Sequence, residues 1–355
     1  MNDTEGFFDL DPDGLRDWCS DAGLPGYTAD QLLDWVYQKQ VVDPREMTNL
    51  SAAHREQLAA TMPINQGDEV TSQIATDDTR KLLIEWPPKD GSLPVLGDAP
   101  RTETVLIPAG ERRTACVSSQ VGCPVGCRFC ASGIGGLEGN LTAGRIVEQA
   151  HRLGRLGIGR VTNVVFMGMG EPLANYAAVT RAIETINAPW GLGIGARRIT
   201  VSTVGLPAAI KRLAGFHLPV TLALSLHAPD DATRRELIPW ATHATIDELI
   251  AACGHYFEAT GREITLEYLL LRDVNDRPSH AAQLADIAAT IRANVNLIRY
   301  NEVEGLPYAR PIDQDVRAFQ SVLRRRHVNV HIRASRGRDI SAACGQLRHE
   351  SRQSS

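Results

Sequence analysis

Three cysteines in one short stretch carry the most pointed chemistry in this chain. Cys123, Cys127 and Cys130 stand in a C-x3-C-x2-C spacing, and Cys116 lies seven residues upstream of the first. Thiolates this close can converge on one iron–sulfur cluster, because cysteine sulfur is the ligand such clusters use. Three ligands leave the fourth iron of a four-iron cluster open to a small chelating molecule. An open position suggests chemistry, whereas a closed set suggests structure, the contrast also seen at zinc sites. Gly122 and Gly126 let the backbone wrap tightly, and Pro124 stiffens the turn. Two other uses of the same residues stay open on spacing alone: a zinc knuckle with Cys116 as fourth ligand, and a group of buried thiols.

A second cysteine motif is Gly337-Arg-Asp-Ile-Ser-Ala-Ala-Cys344-Gly-Gln-Leu. A solitary cysteine among small residues can approach another group closely, although a free cysteine is more often a buried core residue. Cys19 and Cys253 fall in helical patterns and read as plain buried thiols.

The elements that must position these groups follow from periodicity. Residues 1–64 read as helical: one helix begins at Asp11-Pro-Asp-Gly, a second at Thr28 and a third at Ser51, the last two residues being candidate N-caps. Leu32, Leu33, Val36 and Tyr37 read as core. Residues 81–86 and 103–107 read as strands, joined by turn chemistry over 87–94, and a domain boundary is expected near residue 98. Beyond it strands are expected at 113–119, 162–168, 197–203, 219–226, 263–270, 295–300 and 328–333. They alternate with helices at 142–156, 175–187, 207–215, 232–259 (broken near Pro239), 278–293 and 313–326. Such alternation implies a parallel sheet. Six or seven units suit a full or partial (β/α) barrel, in which functional residues gather at the C-terminal ends of the strands. The polar motifs fall at those ends: Gly168-Met-Gly-Glu-Pro172, Ser202-Thr-Val-Gly205, Ser225-Leu-His-Ala228, Glu267-Tyr268 and Tyr300-Asn301. Each alone is weak, and a lone His227 is more often a satisfied polar residue than a catalyst. Their shared position at one mouth, facing the cysteine loop, lifts them.

Bulk properties set outer limits. At 355 residues, 43% hydrophobic and 22% charged, the chain has the composition of an ordinary water-soluble globular protein with room for a large core and a smaller domain. No apolar run is long enough to span a bilayer, and the N-terminus lacks the basic and apolar regions of a signal peptide, so a cytoplasmic protein without membrane partner is expected. Seven cysteines with four clustered fit a reducing compartment better than a disulfide framework. The net charge of −5 is unevenly spread: residues 1–100 hold 7 Lys/Arg and 19 Asp/Glu, so the remainder is basic. A basic half could hold a phosphate backbone, and a solvated surface of mixed charge reads equally well. Basic clusters recur at Arg152/Arg155/Arg160, Arg197/Arg198, Arg234/Arg235 and Arg324–Arg325–Arg326.

With these residues assembled, nearly the whole chain resembles the RlmN/Cfr family of radical S-adenosylmethionine RNA adenine methyltransferases. The likeness rests on Tyr27 to Leu50, Glu103-Thr-Val-Leu-Ile-Pro, Cys116-Val-Ser-Ser-Gln-Val-Gly-Cys, Gly168-Met-Gly-Glu-Pro-Leu, Ser225-Leu-His-Ala and Ala342-Ala-Cys-Gly-Gln-Leu. It implies an α/β fold, a partial (β/α)6 barrel over residues 99–355 with a helical accessory domain over 1–98. It implies a [4Fe–4S] cluster on Cys123, Cys127 and Cys130 whose open iron binds S-adenosylmethionine, two molecules being used per turnover. Gly170, Glu171, Ser202, Ser225, Leu226, His227 and Asn301 match positions lining that cofactor.

The reaction implied is methylation of carbon 2 of adenosine in 23S rRNA, and in tRNA beside the anticodon. Cys344 first takes a methyl group; a 5′-deoxyadenosyl radical removes hydrogen from it, and the resulting carbon radical adds to the ring. Cys116 then attacks the Cys344 sulfur, leaving a Cys116–Cys344 disulfide, and Glu103 matches the base that takes the C2 proton. An electron donor such as flavodoxin or ferredoxin is implied as a partner. Gly139, Arg145 and Arg299 depart from the family pattern, and the Ala131-Ser-Gly-Ile-Gly-Gly loop resembles the Cfr branch, which methylates carbon 8. Outside this reading stand another sulfur-bridged alkylation and a zinc-stapled RNA-binding protein without catalysis. Arg324–Arg325–Arg326 is one candidate contact for the RNA backbone.

Overall fold

The computed structural model describes residues 6–87 and 99–347. Helix α1 (Pro12–Asp21) starts at Asp11, whose carboxylate accepts from the Gly14 amide at 2.8 Å. Helix α2 (Tyr27–Leu33) runs on through a π-helical turn, Asp34–Gln38. Helix α3 (Ala52–Thr61) is capped by the Ser51 hydroxyl, which accepts from His54 N. Thr28 is not the cap that the sequence suggested. The Pro25-Gly26 turn starts the helix one residue earlier, and Thr28 lies inside it, buried.

Strands β1 (Asp68–Ile74), β2 (Arg80–Glu85) and β3 (Arg101–Ala109) form an antiparallel meander. The sequence reading missed β1 because all seven of its residues are exposed, so it has no apolar alternation to see. The loop expected after Pro87 and the boundary expected near 98 lie outside the described residues. Strand β4 (Arg112–Cys116) pairs antiparallel with β3 and begins the parallel part. A hairpin follows, β5 (Gln120–Gly122) and β6 (Leu137–Asn140), also unforeseen because both strands are very short. Then come α4 (Ala143–Gly154), β7 (Asn163–Phe166), α5 (Tyr176–Asn187), β8 (Ile199–Thr203), α6 (Pro207–Ala214) and β9 (Thr221–Ser225). Two helices, α7 (Asp231–Leu237) and α8 (Ile246–Thr260), flank the break at Pro239. Strand β10 (Ile264–Leu270), α9 (Pro278–Ala289), β11 (Ala293–Arg299), α10 (Asp313–Arg325) and β12 (Val330–Arg333) complete the fold.

The sheet order is β1-β2-β3-β4-β7-β8-β9-β10-β11-β12, with every neighbour from β4 to β12 parallel. Six strand–helix units and a seventh strand therefore make the expected partial barrel. Its curvature shows in one contact: Arg333 at the end of β12 donates to Met167 Sδ, just past β7, at 3.3 Å. The strands supply a continuous apolar core, with Leu222, Leu224, Leu266 and Leu297 fully buried. The N-terminal segment docks on α4 through Phe8 and Tyr37, which pack against buried His151, with Phe7 against both of them. Asp9 reinforces that junction by accepting from Gly144 N, in the first turn of α4, at 2.7 Å. Among the described residues no helix is long and apolar enough to cross a membrane.

Candidate active site

A cleft enclosing ≈ 980 Å³ of empty space, its open mouth included, lies at the C-terminal ends of the parallel strands. The cysteine loop forms one wall. It leaves the sheet at Gly122, whose φ of +71° only glycine adopts readily, and a Cβ there would stand 2.1 Å from Gly136 O. Cys123 N donates to Gly136 O and Arg128 N to Leu237 O, tying the loop to its neighbours, while Cys130 N donates to Cys127 O and closes a turn within it. Cys123, Cys127 and Cys130 all line the cleft. Burial pushes the Cys123 thiol up to about 12 and raises Cys127 and Cys130, and Cys130 raises both others by its own charge. Metal binding would displace those protons, since ligand sulfur must be thiolate.

The donor set fits a [4Fe–4S] cluster. Three thiols face one cavity with room beside them, while among the described residues no three His, Cys, Asp or Glu side chains are set to share one metal ion. In a four-iron cluster each cysteine binds a different iron, and cysteine sulfur is the ligand such clusters use.

The opposite wall comes from the strand ends. Gly170 (φ +100°) packs on Gln120, and Glu171 spans the mouth, its two carboxylate oxygens accepting from Leu173 N at 3.0 Å and Val204 N at 2.8 Å. Ser202 and Ser225 Oγ stand 3.2 Å apart. His227 adopts a left-handed φ of +58°, its Nδ1 accepts from Leu269 N at 3.1 Å, and its ring meets Phe129 edge-on. Burial, with Arg234 adding, pulls the His227 imidazole down to about 3, so it is neutral near pH 7. All five residues line the cleft, as does Cys344.

Four expected residues stand behind this wall. Leu226 is buried and joins the sheet through its backbone, donating to Glu267 O at 3.1 Å. Asn301 donates to Cys344 O at 3.3 Å and accepts from Arg310 at 3.0 Å, so it holds the Cys344 loop. That loop also meets the cysteine loop, where Ala131 N donates to Gly345 O at 2.9 Å. Cys116, at the end of β4, packs with Met169, Ala342 and Leu347. Burial pushes its thiol up to about 12; the Cys344 sulfur adds to this and Arg333 opposes it. Cys116 and Cys344, far apart in sequence, are thus electrostatic neighbours. Glu103 on β3 is buried, with its Oε1 2.6 Å from Lys81 Nζ.

Sequence reasoning assigned no role to Lys81 or Arg333, marked Glu267 only as a strand end, and placed Arg234 in a basic cluster. Glu267 lines the cleft, held by Asn296 at 3.0 Å and 3.8 Å from Arg333. Arg234, read as part of a surface basic cluster, is buried and donates to the carbonyls of Leu226 and Val204. Among the departures, Arg145 is buried and donates to Pro87 O at 2.7 Å, Arg299 lies 3.6 Å from Asp313, and Gly139 sits on β6. None of the three lines the cleft. The Arg324–Arg326 triplet ends α10, four residues before β12 begins, so it lies at the barrel end opposite the cleft.

The chain is similar to known proteins over nearly its full length. The Radical SAM superfamily matches residues 117–285, and the ribosomal RNA large subunit methyltransferase N-terminal domain matches residues 6–64. A protein of Gloeobacter violaceus named "Probable dual-specificity RNA methyltransferase RlmN" is 46% identical over 338 residues, covering 95% of this chain and 93% of that protein. One of the same name from Rhodopirellula baltica is 43% identical, with 95% and 88% covered. The crystal structure of a radical SAM methyltransferase from Sphaerobacter thermophilus superposes with a TM-score of 0.90 at 41% identity, covering 97% of this chain and 99% of that one.

Proposed function

Since the chain belongs to the RlmN family of radical S-adenosylmethionine RNA methyltransferases, we propose that it methylates carbon 2 of adenosine in 23S rRNA and in tRNA beside the anticodon. The observation that carries this reading is the packing of Cys116 with Ala342, two residues before Cys344, which itself lines the three-cysteine cleft. Members of this family use a [4Fe–4S] cluster and S-adenosylmethionine, which together supply the one-electron cleavage that yields a hydrogen-abstracting carbon radical. In this reading Cys123, Cys127 and Cys130 hold the cluster. Gly170, Glu171, Ser202, Ser225 and His227 shape the cofactor's bed, and Leu226 and Asn301 support it from behind.

The remaining work falls to two thiols and a carboxylate. Carbon 2 of adenine is not nucleophilic, so a direct methyl transfer from a sulfonium is unsuited to it. Cys344, exposed at the mouth, carries the methyl group and delivers its carbon to the ring. Cys116 then attacks the Cys344 sulfur: an S–S bond forms, the C–S bond breaks, and the carbon leaves with a proton as the product methyl. Glu103 takes the C2 proton, and the one electron left over from the radical addition would return to the iron–sulfur cluster. The disulfide needs two electrons from outside to reset, and flavodoxin or ferredoxin would feed the cluster.

The target base must leave its stack to reach the cleft. Arg128, Arg272, Arg277 and Arg338 are exposed on loops or helix starts at that end of the barrel and suit the flanking phosphates. Residues 1–98 serve as the accessory RNA-recognition domain, and the setting is the cytoplasm.

An anaerobic comparison of wild type with Cys344→Ala tests the reading. Wild type is expected to hold about four irons, to carry a methyl on Cys344 and to yield 2-methyladenosine on RNA digestion. The variant keeps its iron and methylates nothing. Unmodified Cys344 in an active enzyme, or 8-methyladenosine as product, overturns the proposal.

A further inference from the structure

One buried carboxylate at the cleft is left half satisfied. Glu267 is 3% exposed and lines the cleft. Its Oε1 accepts from Asn296 Nδ2 at 3.0 Å, while the buried Oε2 has no hydrogen-bond partner among the described residues. A guanidinium nitrogen of Arg333 stands 3.8 Å from that oxygen and donates instead to Met167 Sδ, a weak acceptor, at 3.3 Å. Acceptor and donor thus lie side by side in the cleft, too far apart to bond each other. A buried acceptor without a donor costs free energy, and a ligand that donates there removes the cost.

Strand register builds the pair. Glu267 is opposite Asn296, and Ile298, two residues on, is opposite Arg333, so the polar groups share one face of the sheet. Arg333 also links Glu267 to Cys344, which lines the same cleft. Burial lowers the Arg333 guanidinium, but the Cys344 sulfur foremost, then Glu267 and Cys116, raise it above the usual arginine value.

We propose that Arg333 and Glu267 read the Watson–Crick edge of the extruded adenine, Arg333 donating to N1 and Glu267 Oε2 accepting from the 6-amino group. The inference rests on the reading of the chain as an adenosine methyltransferase. Along that edge C2, N1 and the amino group follow one another, as Cys344, Arg333 and Glu267 do in the cleft. Enzymes that extrude a base commonly read it on this edge. Guanine meets the pair with its polarity reversed, an N1–H against Arg333 and a carbonyl oxygen against Glu267, so the pair selects adenine.

RNAs carrying adenosine, purine riboside (no amino group) or 1-deazaadenosine (no N1) at the target are compared on wild type, Glu267→Gln and Arg333→Met. The readouts are kcat/KM for RNA, iron content and the RNA-free methylation of Cys344. In Glu267→Gln, Asn296 keeps the amide oxygen, so the amide nitrogen is left where Oε2 stood. Its preference for adenosine over purine riboside is expected to fall about 10- to 100-fold below that of wild type, the scale of a hydrogen bond to a charged group. Arg333→Met lowers the preference over 1-deazaadenosine by a like factor. The rings' own reactivities cancel, since each RNA meets every enzyme.

A preference unchanged within threefold in either variant overturns the inference. Slower Cys344 methylation by Glu267→Gln at limiting S-adenosylmethionine, with RNA preferences intact, also overturns it and gives the oxygen to the cofactor's ribose, since Ser225 is opposite Glu267 on β9. Absence of methylated adenosine from wild-type reactions instead overturns the functional reading. Should Glu267→Gln fail to load iron, wild type decides: with Cys344 methylated and no reductant present, equal affinity for adenosine and purine riboside RNAs overturns the inference, and a tenfold preference for adenosine supports it.

Discussion

At the scale of single residues, the two cysteines to which the proposal gives the transfer differ in access. Cys344 is exposed and Cys116 is only 7% exposed. The exposed thiol can meet cofactor and base in turn, while the buried one is reached through its neighbour. Burial pushes Cys116 up to about 12, so near pH 7 it is almost wholly protonated, and attack on sulfur needs the thiolate. Below that value the thiolate fraction grows about tenfold per pH unit. Release of RNA from Cys344 in a single turnover should accelerate accordingly between pH 7 and 9; a flat profile would show that a nearby base removes the proton. Cys116→Ala should leave Cys344 methylated and RNA trapped on it, read as a protein–RNA band on a denaturing gel. Free product from that variant would sink the role of Cys116.

At the scale of elements, the proposed cofactor bed depends on one turn. Asn275 follows β10 and is fully buried. Its amide nitrogen donates to His227 O and Leu269 O, and its oxygen accepts from Leu271 N, each at 2.7 Å. The side chain thereby locks the ends of β9 and β10 together and holds His227 in its left-handed conformation. Asn275→Ala would leave three buried backbone groups without partners, at a cost of about 3 kcal/mol. A urea titration should show that loss, and calorimetry should show weaker S-adenosylmethionine binding. Unchanged cofactor affinity in a destabilised variant would mean that the turn serves only the fold.

For the whole molecule, the N-terminal helices are packed on the barrel through an aromatic cluster centred on His151, whose Nε2 lies 2.8 Å from Val36 O. Burial is the main cause that pulls this imidazole down to about 4. In the unfolded chain histidine takes a proton near pH 6.5. The junction's contribution is therefore complete above that pH and is lost as the pH falls toward 4, because protons favour the unfolded state. His151→Gln, whose amide can still donate to Val36 O, should lose less Tm between pH 7 and 5 than wild type does. An identical loss would place the acid sensitivity elsewhere. The basic triplet offers a contrasting case. Because Arg324–Arg326 lies at the far end of the barrel, its replacement by alanine should leave RNA affinity and its salt dependence unchanged; a fall in either would mean that the RNA wraps the barrel.

The parts of this protein legible in the sequence were those written in consecutive residues. The cysteine spacing, the alternation of apolar strands with amphipathic helices, and the small polar motifs at strand ends all depend on local periodicity and turn chemistry. Even the break at Pro239 could be read, since proline interrupts a helix wherever it falls. Tertiary structure decided what register and curvature bring together. Antiparallel pairing sets Lys81 against Glu103, and the curl of the sheet carries Arg333 from β12 to Met167. Burial turns Arg234 from an apparent surface cation into a clasp for two carbonyls. The direction of α10 decides which end of the barrel its arginines occupy. None of these follows from a residue and its near neighbours, because each depends on a partner many residues away whose position the packed sheet determines.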